Sequence, residues 1–121
     1  MNNIEIKNAA YESGADICGI ASIERFSNAP AGFHPSDIYK DTKSVAVFAR
    51  RFPKGAVCTG NPLTYSVSED IVTDQIRHIT YNFSLLLEDK GIKAVPVYTE
   101  PYAYWDKDTM TGKGDLSLKH A

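Results

Sequence analysis

A chain of 121 residues with 43% hydrophobic and 23% charged residues has the composition of one folded domain, which argues against a disordered segment or a coiled coil. Its formal net charge of −2 excludes a surface that seeks phosphate by bulk charge, and leaves only local basic patches for that role. The opening MNNIEIKNAA carries an acid and lacks an apolar signal core, and no stretch approaches the roughly 18 apolar residues of a membrane span, so a cytoplasmic protein is expected. Cys18 and Cys58 are the two cysteines; neither belongs to a Cys-x-x-Cys pair, so no zinc-ribbon or iron–sulfur spacing is present, and both are expected to be reduced.

Asn3 to Ser13 predicts a short helix, with Ile6, Ala9 and Ala10 on one side, Glu5 in the first turn and Gly14 as a left-handed stop. Asp16 to Ala21, DICGIA, reads as a strand in which Cys18 is a small apolar residue. From Ser22 to Pro35 the chain gathers Asn28, Pro30, Gly32 and Pro35, which predicts a loop anchored by Phe26 and Phe33, with a turn of helix near Ile23 to Phe26. Ser36 or Asp37 is expected to cap a helical turn that includes Ile38 and Tyr39. Val45 to Ala49 leaves no polar face, so strand 44–50 is expected to be central and covered on both sides.

After a Pro- and Gly-rich loop from Pro53 to Pro62, Ser66 and Glu69 fit a Ser-x-x-Glu capping box. The apolar positions Val72, Ile76, Ile79, Phe83 and Leu86 then follow at helical spacing, and Gly91 ends the run. Asp74 precedes His78 by one helical turn, an ordinary helix pair. The fold class expected is α/β, a small mixed sheet in one domain spanning 1–121. Its centre is a β-α-β unit, with helix 68–90 between parallel strands 44–50 and 92–98, flanked by the short amino-terminal helix. Pro96 has no amide donor and either places strand 92–98 near an edge or ends it there. Asp115 is a cap for a helix beginning LSLKHA.

Candidate site residues are few. Glu100, set beside Tyr98, Tyr102 and Tyr104, is either a proton donor with a pKa raised by aromatic burial or a solvated loop carboxylate. Arg50, Arg51 and Lys54 form the basic cluster, suited to nucleic-acid or cofactor phosphate or else a solvated strand end. His34, His78 and His120 are widely separated and unpaired with cysteine, a poor basis for a metal site. Tyr102, Tyr104 and Trp105, with Leu116 and Leu118 of the tail, are expected to form an interface, most simply in a homodimer.

Taken together, SGADICGIAS, GFHPSDIYKDTKSVAVFARRFPKGA, the helix ending LLLEDKGIKAVPV, and LSLKHA resemble the amino-terminal half of epoxyqueuosine-reductase-like iron–sulfur proteins, a family related to reductive dehalogenases. The match spans nearly the whole chain in order. It implies the amino-terminal portion of a larger oxidoreductase fold that uses cobalamin and two 4Fe–4S clusters on a tRNA nucleoside. In the family the segment resembling LSLKHA continues into a glycine-rich stretch and cysteine clusters, neither of which lies in these 121 residues. The resemblance therefore implies that the redox centres lie outside this chain, with no cofactor held by it alone. A carboxy-terminal iron–sulfur half or an electron-transfer partner would complete it. The family's proposed proton donor follows the strand resembled by Ile92–Tyr98, and Glu100 is the nearest acid here. The alternative is a non-catalytic binding or dimerisation module derived from the same fold.

Overall fold

The computed structural model describes residues 2–98 and 104–113, the latter through the backbone alone at 104–105 and 111–113. The fold is mixed α/β. In chain order it comprises α1 (Asn3–Glu12), β1 (Ile17–Ser22), a 3-10 turn (Ile23–Phe26), α2 (Pro35–Ile38), β2 (Ser44–Ala49), α3 (Lys54–Cys58), α4 (Pro62–Asp89), β3 (Tyr104–Asp106) and β4 (Thr111–Lys113). The chain divides into two compact units that interleave in sequence, one of Met1–Cys18 with Phe48–Thr99 and one of Gly19–Val47 with Glu100–Ala121.

The first unit is organised on α4, against which α1 and α3 pack. Small residues turn α1 inward: its buried positions are Ala9 and Ala10. On α4 the buried positions are Ile79, Thr80, Phe83 and Leu87, and the Thr80 hydroxyl donates to the Ile76 carbonyl at 2.8 Å instead of lying unsatisfied in the core. Phe48 meets Phe83 edge to face, with ring centroids 6.3 Å apart.

Both long helices end by the same device. After α1 the amide of Ala15 donates to the Ala10 carbonyl and that of Gly14 to Tyr11; after α4 the amide of Ile92 donates to Leu87 and that of Gly91 to Glu88. Each is a Schellman pattern, whose pivot must take a left-handed conformation; Gly14 has φ of 110° and Gly91 of 85°. The start of α4 departs from expectation. Its cap is Asn61, whose Oδ1 accepts from the amides of Leu63 and Thr64, with Pro62 in the first turn. Ser66 and Glu69 therefore lie inside the helix, because an Asn cap followed by Pro nucleates one turn earlier.

In the second unit Phe26 is fully buried and Ala21 and Pro35 are buried with it. The ring of His34 stands edge-on to Phe26 at 6.2 Å. His34, rather than Ser36 or Asp37, caps α2: its Nδ1 accepts from the Ser36 amide at 3.1 Å, and Asp37 Oδ2 accepts from the His34 amide at 3.0 Å. An amide can only donate, so Nδ1 carries a lone pair and the imidazole proton sits on Nε2. The β3–β4 ribbon is antiparallel, with Trp105 opposite Gly112.

β1 and β2 pair in a two-stranded sheet. The Asp16 amide donates to the Ala49 carbonyl at one end, and the Ile23 amide to the Lys43 carbonyl at the other, which makes the pair antiparallel. This corrects two expectations. Strand 44–50 is formed as Ser44–Ala49, yet Val45 to Phe48 are only half-buried. Segment 92–98 keeps the alternation of a strand, with Ile92, Ala94 and Pro96 half-buried and Lys93, Val95 and Val97 exposed, but it adopts no ladder, so the β-α-β unit is not closed. Pro96 removes one of the amides that a ladder there would use.

Candidate functional site

Within the first unit the residues after β2 and those before β1 are tied together. Asp16 does most of the tying. Its carboxylate accepts from the Arg51 amide and lies 3.6 Å from the Arg50 guanidinium, while its own amide donates to Ala49. Arg50 Nη1 also donates to the Gly14 carbonyl at 2.9 Å, and its Nε reaches Gln75 Oε1 of α4 at 3.4 Å. Arg50 is thus a clamp joining the α1–β1 turn, the end of β2 and α4.

Beside the clamp lies an open cleft of about 460 Å³, lined by Asp16, Arg50, Arg51, Pro53, Ser68, Ile71, Val72 and Gln75. Its volume falls in the range of small-molecule sites, and its walls combine two guanidinium groups with an apolar floor. Arg51 is exposed, and its side chain has no partner among the described residues. Lys54 stands on α3, exposed and outside the lining. The basic cluster read from sequence is therefore divided into one engaged arginine, one exposed arginine at the cleft and one surface lysine. Asp16, Ser68 and Gln75 escaped that reading, because they come from three separated stretches and carry no local motif.

Neither cysteine belongs to this cleft. Burial pushes the Cys18 thiol up, and the nearby Lys7 ammonium lowers it only in part. Cys58 is exposed at the end of α3. His78 Nε2 lies 3.6 Å from Asp74 Oδ2 on the exposed side of α4, the helix pair expected from their spacing. No group of three or more His, Cys, Asp or Glu is gathered for a metal among the described residues. Glu100, Tyr102, Leu116, Leu118, His120 and the Asp115 cap lie outside the described residues; Tyr104 and Trp105 are placed in β3 by backbone alone. No described helix is long and apolar enough to cross a membrane.

Comparison with known proteins yields no matching family model, no matching curated protein and no matching solved structure.

Proposed function

We propose that this chain is the amino-terminal domain of an iron–sulfur, cobalamin-dependent reductase similar to epoxyqueuosine reductase, with the redox centres carried by residues beyond these 121. The observation that carries the reading is the Asp16–Arg50–Arg51 set. Asp16 comes from the segment SGADICGIAS, and Arg50 and Arg51 come from KSVAVFARRF. Two of the segments on which the resemblance rests are thus joined by side chain to main chain around one cleft, as parts of one fold.

The donor set of the chain does not fit an iron–sulfur cluster. Each cluster takes four thiolates, whereas this sequence has two cysteines. Cluster ligands would have to come from elsewhere, and no redox step is assigned to the residues in hand. What these residues supply is a clamped strand end and a cleft at which the Arg51 side chain has no partner among the described residues. A cytoplasmic location and a tRNA substrate follow only from the resemblance and the composition.

The natural reading frame decides between this proposal and a non-catalytic module. Expressed in full, it is expected to run beyond Ala121 into Cys-x-x-Cys-x-x-Cys segments and to give a brown protein with the absorption of 4Fe–4S clusters. A stop directly after Ala121, with a colourless product, overturns the proposal. The module reading is favoured by the exposed apolar side of α4.

A further inference from the structure

The inward stripe of α4 accounts for only half of its apolar residues. On the opposite side Leu63, Val67, Tyr81 and Leu85 are 71%, 47%, 54% and 43% exposed. A helix that is apolar on both sides is ordinarily covered on both. The outward residues form a seam: Leu63, Val67, Asp70, Asp74, His78, Tyr81 and Leu85 follow at spacings of four, three, four, four, three and four. The pattern is an eleven-residue repeat taken twice, about 3.67 residues per step, so it keeps to one side of a nearly straight helix. At 1.5 Å per residue the seam is about 33 Å long.

Its alternation of apolar ends and polar middle reads the same from either end. Leu63 and Leu85 stand eleven residues either side of Asp74, Val67 and Tyr81 seven, and Asp70 and His78 four. We propose that this face is an antiparallel two-fold interface with a second copy of the chain, centred on Asp74. In that register Leu63 meets Leu85 of the other copy, Val67 meets Tyr81, and the Asp70 carboxylate meets the His78 imidazole, so apolar residues close both ends and a hydrogen-bond acceptor faces an imidazole within. One like pair remains at the axis, Asp74 against itself, and each Asp74 already has His78 of its own helix at 3.6 Å. A parallel pairing would set Asp70 against Asp70 as well as Asp74 against Asp74, and would bring no carboxylate to an imidazole across the interface. The occupant this arrangement fits is a second copy, because the same helix reversed supplies both halves of it. The contact is independent of the redox reading and lies on an element distinct from the Tyr102–Trp105 segment and the tail.

Sedimentation equilibrium of the full chain at tens of micromolar is expected to give a dimer, and Leu85→Glu to weaken it by about tenfold or more with an unchanged far-ultraviolet circular dichroism spectrum. In a Cys18→Ala/Cys58→Ser background, Asp74→Cys is expected to crosslink to a covalent dimer on mild oxidation. Leu63→Cys alone is expected not to crosslink, and Leu63→Cys with Leu85→Cys to do so. A monomer, a dimer indifferent to folded Leu85→Glu, or crosslinking through Leu63→Cys alone overturns the proposal.

Discussion

His34 closes α2 through a ring nitrogen, a role more often taken by a short oxygen-bearing side chain. Its Nδ1 accepts the Ser36 amide and lies 2.7 Å from the Ser36 hydroxyl, while the other side of the cap is the Asp37 carboxylate on the His34 amide. His34→Asn keeps an acceptor at nearly the same reach, whereas His34→Ala leaves the amide bare and removes the edge contact to Phe26. The alanine variant is expected to lose about 1 to 2 kcal/mol in urea unfolding and the asparagine variant to recover a good part of it. Equal losses would mean that the ring packs and does not cap. The two thiols differ on the same physical ground. Burial disfavours the charged form of Cys18, so the thiolate that attacks an alkylating reagent is scarce at neutral pH, and Cys58 is exposed. Iodoacetamide followed by mass spectrometry is expected to label Cys58 first. Faster labelling at Cys18 would contradict the partial burial of its thiol.

At the scale of elements, the start of α4 separates two readings of one stretch. Ser66 with Glu69 predicts a start near residue 67, whereas Asn61 with Pro62 starts the helix a full turn earlier. Asn61→Ala is expected to cost about 0.5 to 2 kcal/mol, and Ser66→Ala, now within the helix, to be near neutral or slightly stabilising. The reverse order in thermal unfolding would restore the later start. What was legible here is local: the inward periodicity of α4, the glycines that end α1 and α4, the turn at Ile23–Phe26 and the pairing of Asp74 with His78 all depend on neighbours within a few residues. Pairing is different. Val45 to Phe48 and Ile92 to Val97 both have strand character, but which strand finds a partner is decided by contacts across the chain. β2 finds β1, while Ile92–Val97 retains alternation without a ladder. The cleft was illegible for the same reason, since Asp16, Arg50 and Gln75 meet only after α1, β2 and α4 are in place.

For the whole molecule the balance of buried and exposed apolar surface decides the expected behaviour. Nine hydrophobic residues are buried among the described residues, and five of them are alanines. Large side chains such as Ile4, Ile17, Leu63 and Ile71 are each more than half exposed. Alanine contributes little transfer free energy on burial, because the gain scales with apolar area, so the described core stabilises the fold weakly for its length. A second copy that covers the seam of α4 would add apolar burial only in the associated state, and folding would then be coupled to association by mass action. The sign is fixed: dilution removes the stabilisation that the second copy adds, and the unfolding midpoint rises with protein concentration. A tenfold rise adds about 1.4 kcal/mol per dimer, which corresponds to about 3 °C in Tm for two chains of this length. Scanning calorimetry from low to high micromolar protein measures that slope. A midpoint that does not move over this range would mean that the exposed seam is not covered by a second copy when the chain folds.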